Sequence, residues 1–545
     1  MRRPAAASAA VALIAAVALL AGCAGSPEAT DGPTEPEPGL LRVLAGSELA
    51  DLAPILDEAA QATGVRVGFD FTGTLDGAET VASGRADTTH DATWFSSNRY
   101  LALQPGAPAK LGTATEIVSS PVVLGLRRSV ADALGWIGRP VTWSEIAAAA
   151  GARQFSYGMT DPSASNTGFS TVVAVATALV GSGAALTVEQ AASTAPALKD
   201  FFAAQTLAAG SSGFLQDAYV RRATRADPGP PVDGLINYES VLLGLNAEGT
   251  LPEPLELIYP ADGVITAEYP FTVLASASQQ ARDDHRKLTE YLRTPAVQQA
   301  LMDRTFRRPA VPGVALAPVL GTATLVELPF PAQAEVVDTL LTSYFDKIRR
   351  PSRTIYVLDT SGSMGQDDRI GDLRRSLAGI AGADPSLTGQ YRRFRGREEV
   401  TLLPFSSTPG TPQTFVVDEN DPGPTRARIA DAGNALQADG GTAIYDSLRR
   451  AYDIAGEQIA TDPDRFTSIV LMTDGENTEG SDVGAFRDYA GSRPADLRTV
   501  PVFTVLFGES DNEQMTEVAT LTGGRTFDAR TAPLAEVFKE IRGYV

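Results

Sequence analysis

The stretch TIYVLDTSGSM, Thr354–Met364, decides how the chain is read. Four apolar residues, Ile355–Leu358, run straight into Asp359, and Ser361 and Ser363 follow on either side of a glycine. Such an apolar run predicts a buried strand. The acid and two hydroxyls at its end have two chemical explanations. Asp and Ser side chains accept from the free N–H groups that open a helix. The same oxygens also suit a metal cup.

Distant segments bear on the choice. In SIVLMTDGEN a second buried strand ends at Asp474, and in ADGGTAIYDSL Thr442 stands after two glycines and before a helix. In an open parallel sheet, ligands sit beyond the carboxyl ends of the strands. Three loops could therefore deliver two carboxylates and three hydroxyls to one crevice. This oxygen set suits Mg²⁺, which wants near-octahedral oxygen ligands and keeps some of its water; Ca²⁺ prefers a looser, larger cage. Zn²⁺ prefers Cys or His, and the chain has one cysteine, Cys23, and two histidines, His90 and His285.

Asp359, Ser361, Ser363, Thr442 and Asp474 match, in order, the Asp-x-Ser-x-Ser, Thr, Asp pattern of the metal-ion-dependent adhesion site. Residues 353–545 thus resemble a von Willebrand factor A domain. The resemblance implies a doubly wound, Rossmann-like α/β fold, bound Mg²⁺ (or Mn²⁺ or Ca²⁺), and a protein partner whose acidic side chain completes the metal's coordination. The strands expected are RTIYVLD, EEVTLLPFS, QTFVVD, TSIVLMTDG, TVPVFTVLFG and GGRTFDA, with helices over 373–380, 425–435, 443–460 and 533–541.

From Leu40 onward strands alternate with helices, as in parallel sheets with helical crossovers. LLRVLAG and VRVGFDF read as strands, and DPSASNTGFSTVVAVATALV, Asp161–Val180, as a polar turn running into an apolar helix. Residues 40–307 resemble the two-lobed, type II solute-binding fold of bacterial ABC transporters. That resemblance implies a ligand held by strand-to-helix loops, here at Ser47, Thr74, Ser163, Ser165 and Thr167. The plain alternative is that these hydroxyls cap helices. Trp94, Tyr238 and Glu239 are further cleft candidates. The Pro-rich run Arg307–Pro331 marks a boundary, so 308–352 is expected to be a linker with a connecting helix. YRRFRGRE, with Arg392, Arg393, Arg395 and Arg397, reads as a surface loop.

The first 22 residues have Arg2 and Arg3, an apolar run and small residues, the pattern of a signal peptide. It ends in Leu20-Ala21-Gly22-Cys23, which resembles the bacterial lipobox and implies lipidation at Cys23. Residues 23–39, acidic and Pro-rich, are expected to be a tether. A single cysteine allows no internal disulfide. The formal charge is −21, and losing Arg2 and Arg3 with the leader takes it to −23. That argues against a nucleic-acid partner, which needs a basic face. Neither histidine lies in a nucleophile motif and no G-x-S-x-G elbow occurs, so no enzyme is expected. The expected function is a lipid-anchored, extracytoplasmic binder that recognises a protein or envelope partner through Mg²⁺, with a solute-binding-like domain alongside. The alternative is the substrate-binding component of an ABC-type transporter, with a small solute as ligand.

Overall fold

The computed structural model describes residues 39–321, 325–530 and 533–544. The leader and Cys23 lie outside the described residues, as does the tether apart from Gly39. Among the described residues no helix is long and apolar enough to cross a membrane.

The chain begins a first lobe with β1 (Leu40–Gly46), β2 (Arg66–Thr72), β3 (Ala92–Trp94) and β4 (Leu111–Glu116). At Ile117 it crosses to a second lobe and lays down β5 (Val118–Arg127), β6 (Tyr157–Thr160), β7 (Gln205–Ala209), β8 (Gly234–Tyr238), β9 (Leu255–Ile258) and β10 (Thr266–Ala267). It then returns to the first lobe as β11 (Pro270–Leu274). The first sheet runs β2-β1-β3-β11-β4 and the second β10-β5-β8-β6-β7. In each lobe a second-first-third parallel trio is followed by one antiparallel strand, β11 or β5. Two crossovers therefore join lobes of like topology, and the trio in each lobe aims its strand-to-helix loops at the cleft.

The Pro-rich segment after Arg307 does not hang free between domains. Arg308–Pro309 (β12) pairs with β5, Val264 bridges to Glu327, and the Arg308 guanidinium makes two 2.8 Å bonds to the buried Glu239 carboxylate. The segment is laid onto the second lobe. A helix, Ala334–Ser343, and a wider turn, Tyr344–Ile348, lead out of it.

The remaining chain forms a six-stranded sheet of β13 (Ser352–Asp359), β14 (Glu399–Phe405), β15 (Gln413–Val416), β16 (Phe466–Thr473), β17 (Val502–Leu506) and β18 (Thr526–Asp528), in the order β15-β14-β13-β16-β17-β18. All pairs are parallel except the edge strand β15. Every residue of β13 is buried. Successive side chains point to opposite faces, and each face has its own core. Tyr356 and Leu358 pack with Val470, Met472 and Phe538, while Ile355 and Val357 pack with Ile469, Leu448 and Tyr452. This is the doubly wound arrangement that the near-continuous apolar strands predict. Two helices beyond those expected, Val483–Ser492 and Asn512–Thr522, help cover one face. The chain winds outward from β13 to β14 and β15, then jumps back to β16. The switch point lies between β13 and β16, whose carboxyl ends carry Asp359 and, one residue beyond, Asp474.

Candidate functional site

At the switch point four expected residues are joined by hydrogen bonds. The Ser361 N–H donates to Asp359 Oδ1 (2.8 Å), the Ser361 and Ser363 hydroxyls share a bond (3.0 Å), and Ser363 Oγ donates to Asp474 Oδ1 (2.8 Å). Both carboxylates are fully buried. Burial pushes the Asp359 carboxyl up to about 6, against bonds from Ser361 and Thr473 that pull it down, and the Asp474 charge adds to the rise. The Thr442 loop is tied to the same place: Gly362 N–H donates to Gly440 C=O (2.9 Å) and Asp439 N–H to Thr360 C=O (2.8 Å). Thr442 itself enters through its backbone, its N–H donating to Thr478 Oγ1 (2.9 Å).

One residue absent from the expected set reaches into the cup. Arg369, at the start of the helix Arg369–Ala378, donates Nη1 to Asp474 Oδ2 at 2.8 Å and is 12% exposed. Room for it comes from Gly508 (φ +56°), where a Cβ would lie 2.8 Å from Arg369 Nη1 and 3.0 Å from Asp474 Cβ. Among the described residues no group of three or more His, Cys, Asp or Glu side chains is placed to hold a metal. The cup has two carboxylates and fills out its donor set with hydroxyls. These are all hard oxygens, with one acid held high by burial, and they fit a hard divalent cation. Asp359, Ser361, Ser363 and Asp474 are the residues that would hold it.

The cleft between the lobes is nearly shut. The Leu75 N–H of the first lobe donates to the Ala164 C=O of the second (3.0 Å), and a Cβ on Gly73 would stand 2.4 Å from that same oxygen. Ser47 Oγ lies 3.6 Å from where a Cβ on Gly213 would be. Beside these contacts are two cavities, of about 580 and 670 Å³, and Ser47, Phe71 and Phe214 line both.

Of the five hydroxyl residues expected to hold a ligand, only Ser47 lines these cavities. Thr74 bonds the Ser96 hydroxyl (3.2 Å), and Ser163 donates to Asp161 Oδ1 (2.8 Å). Thr167 shares bonds with Thr160 (2.7 Å), Ser165 (3.2 Å) and Ser212 (3.1 Å). These four stitch the loops together. The capping alternative does not hold either, since neither Gly46, Gly73 nor Ser165, the residues at the three helix starts, makes a side-chain cap. Trp94 and Tyr238 are core residues: the Trp94 indole donates to the Tyr269 C=O (3.2 Å), and the Tyr238 hydroxyl accepts from Asn166 (3.2 Å). Glu239 is held by Arg308 and Tyr259.

The arginine cluster after Tyr391 is not a surface loop. Arg392 and Arg395 are each 5% exposed. Arg395 makes two 2.6 Å bonds to Asp346, and Arg392 reaches across to Asp76 of the first lobe (2.8 Å). In an acidic chain, partly buried carboxylates supply these cations with partners. Thr388 N–H donates to Glu79 (2.8 Å), Arg85 pairs with Glu536 (3.4 Å), and the Arg525 guanidinium lies 3.5 Å over the Phe214 ring of the second lobe. The larger members of the 580 Å³ cavity's third side, Arg392, Arg525 and Glu540, thus come from the C-terminal sheet domain.

Residues 41–307 match the family described as bacterial extracellular solute-binding protein. No curated protein matches the chain. Among solved structures, the periplasmic binding protein P5PA is 14% identical (TM-score 0.44), over 57% of this chain and 100% of that one. AfuA from Actinobacillus pleuropneumoniae, solved with exogenous fructose-6-phosphate, is 12% identical (TM-score 0.44), over 57% and 98%. A von Willebrand factor type A protein from Catenulispora acidiphila is 19% identical (TM-score 0.29), over 36% and 42%. The family match and the paired-lobe topology give residues 41–307 a periplasmic-binding-protein-like fold. No such family match extends to residues 353–545, whose sheet order and cup rest on their own geometry.

Proposed function

We propose that the protein is an extracytoplasmic solute receptor, the substrate-binding component of a transport system, tethered to the membrane by a lipid on Cys23. This replaces adhesion as the primary reading. The observation that carries it is the pair of like lobes, joined by two crossovers, whose strand-to-helix loops meet over residues 73–75 and 164 with cavities beside them. Such a cleft suits reversible closure on a small solute, and no catalytic step is assigned to it. The test is mass spectrometry of small molecules released from protein purified from its native envelope, followed by rebinding to the emptied protein. Release of a solute that rebinds stoichiometrically is expected; protein that carries none and takes up none from envelope extract overturns the reading.

A second activity is favoured by the cup. Asp359, Ser361, Ser363 and Asp474 are gathered at the topological switch point, where open α/β sheets bind ligands. In this reading Mg²⁺ held there accepts an acidic side chain of a protein partner. Metal-dependent pull-down from envelope extract tests it: capture that survives chelation, or that survives Asp359→Ala, refutes it.

A further inference from the structure

Resting on the receptor reading, we propose that the solute site has three walls. The C-terminal domain supplies Arg392 as a residue that touches the solute, beside Ser47 of the first lobe and Ser211 of the second, and the site takes a small, uncharged, hydroxyl-rich molecule such as a saccharide.

The 580 Å³ cavity is lined by all three residues, and its size lies within the roughly 300–1,000 Å³ usual for small-molecule sites. Each wall brings one buried polar atom with no hydrogen-bond partner among the described residues: Ser47 Oγ, Ser211 Oγ and Arg392 Nε. Native proteins rarely leave such atoms unmade, because each costs about 1–3 kcal/mol. Three orphans on one cavity, from three separate parts of the fold, point to something that they hold in common. Ser211 and Arg392 are 6% and 5% exposed, so bulk water does not serve them.

Arg392 is fixed in place. Its Nη2 is bound to Asp76 (2.8 Å) and its C=O accepts from Arg542 Nε (3.0 Å); among the described residues neither Nε–H nor Nη1 has a partner, and Nε–H is the buried one. The other cations on the cavity are paired as well: Arg525 with Glu540 (3.0 Å), Lys539 with Asp384 (2.5 Å) and, more loosely, the exposed Arg85 with Glu536 (3.4 Å). An anionic solute would meet five carboxylates, Asp70, Asp76, Glu79, Glu536 and Glu540, against four Arg and Lys side chains that are each already paired. A cation would face Arg392 across the spare donor. An uncharged molecule with several hydroxyls can accept from Arg392 and exchange bonds with both serines. Phe71, 45% exposed and on the same cavity, offers an apolar face for the C–H side of a sugar ring.

The test uses the full chain and a fixed panel, read by calorimetry: glucose, galactose, xylose, trehalose and inositol, against glucose 6-phosphate, citrate, sulfate and glutamate. At least one neutral member is expected to bind the wild type, with no charged member binding more tightly. Arg392→Lys keeps a cation opposite Asp76 but removes the guanidinium's remaining N–H donors, Nε–H among them, and should weaken that binding about 10- to 100-fold, the worth of one bond to a charged group. Ser47→Ala and Ser211→Ala should each weaken it by roughly threefold to tenfold. Arg392→Ala would strip Asp76 of its counter-ion, so Arg392→Lys with an unchanged melting temperature is the deciding variant. If Arg392→Lys binds as the wild type does while the serine variants lose affinity, the site has two walls, and the receptor reading stands without the third. A charged member as the preferred ligand, or a wild type that binds no neutral member, overturns the ligand class; the receptor reading itself falls only if the native-envelope protein carries and rebinds no solute.

Discussion

Glu48 should make the stability of the solute domain fall as pH rises, and Glu48→Gln should remove the effect. Glu48 follows β1 in the short turn Ser47–Leu52, and its Oε1 is buried with no hydrogen-bond partner among the described residues. Burial raises its carboxyl from 4.5 to about 7, with its own backbone N–H and Arg307 opposing and Asp51 assisting. A carboxyl raised by folding is protonated in the folded chain while already ionised in the unfolded one, across pH 4.5 to 7. Its burial therefore costs nothing below about pH 4.5, costs progressively more as pH rises through the window, and reaches its full cost above pH 7. At about 1.4 kcal/mol per pH unit the full cost is at most about 3.5 kcal/mol. Residual exposure of the side chain screens it to about 1–3 kcal/mol. Urea unfolding of wild type and Glu48→Gln should coincide at pH 4, and the variant should be more stable by about 1–3 kcal/mol at pH 8. A difference that does not change with pH, or a wild type that is the more stable at pH 8, would refute the reasoning.

Gly73→Ala should hold the lobes apart, since its Cβ would meet the Ala164 oxygen at 2.4 Å; small-angle scattering should show a larger radius of gyration, and an unchanged radius would contradict the closed contact. Asp359→Asn and Asp474→Asn should each weaken Mg²⁺ binding at least about tenfold by calorimetry, with Ser361→Ala weakening it less, because a lost charge outweighs a lost neutral ligand. Arg369→Met should tighten Mg²⁺, because the guanidinium and the ion seek the same Asp474 carboxylate; equal affinity would show that they do not compete. Chelation should leave solute binding untouched, since the cup and the cleft share no residue. Arg395→Ala should destabilise the protein by about 1–3 kcal/mol in urea, the cost of leaving the partly buried Asp346 without its two bonds; a change within experimental error would count against the pair.

The central strands of the C-terminal sheet were legible because a buried parallel strand is written as a short apolar run, and β13, β14, β16 and β17 are such runs. The cup was legible for a similar reason: Asp359, Ser361 and Ser363 are close in sequence, and Asp474 ends another apolar run. Arg369 was not, because its partner lies 105 residues away and its own neighbourhood, GQDDR, looks like an ordinary polar loop. The hydroxyls of the cleft misled in the opposite direction. Ser163, Ser165 and Thr167 have the composition of a ligand loop, but Asp161, Thr160 and Ser212 satisfy them from within. Only Ser47, with no internal partner, is left for the cavity.

The attachment of the C-terminal domain differs between the two lobes, and the difference ranks its interfaces. Against the second lobe it shares one apolar cluster, in which Leu207, Ala209 and Leu215 pack with Phe538 and Tyr544. Against the first lobe its principal ties are polar: Arg392 to Asp76, Thr388 to Glu79 and Arg85 to Glu536. Apolar burial is lost outright on exposure to water, at about 25 cal/mol per Å². Polar ties exchange for water, and the exposed Arg85–Glu536 pair does so at about 0–1 kcal/mol. Separation of the lobes therefore breaks the polar side first, and the C-terminal domain stays with the second lobe. Two ties are exceptions: Thr388 to Glu79, where both residues are buried, and Arg392 to Asp76. Arg392 is buried and Asp76 partly so, and parting them leaves both charges without a partner until water reaches them, so the guanidinium on the cavity's third wall is also a charged tie across its mouth.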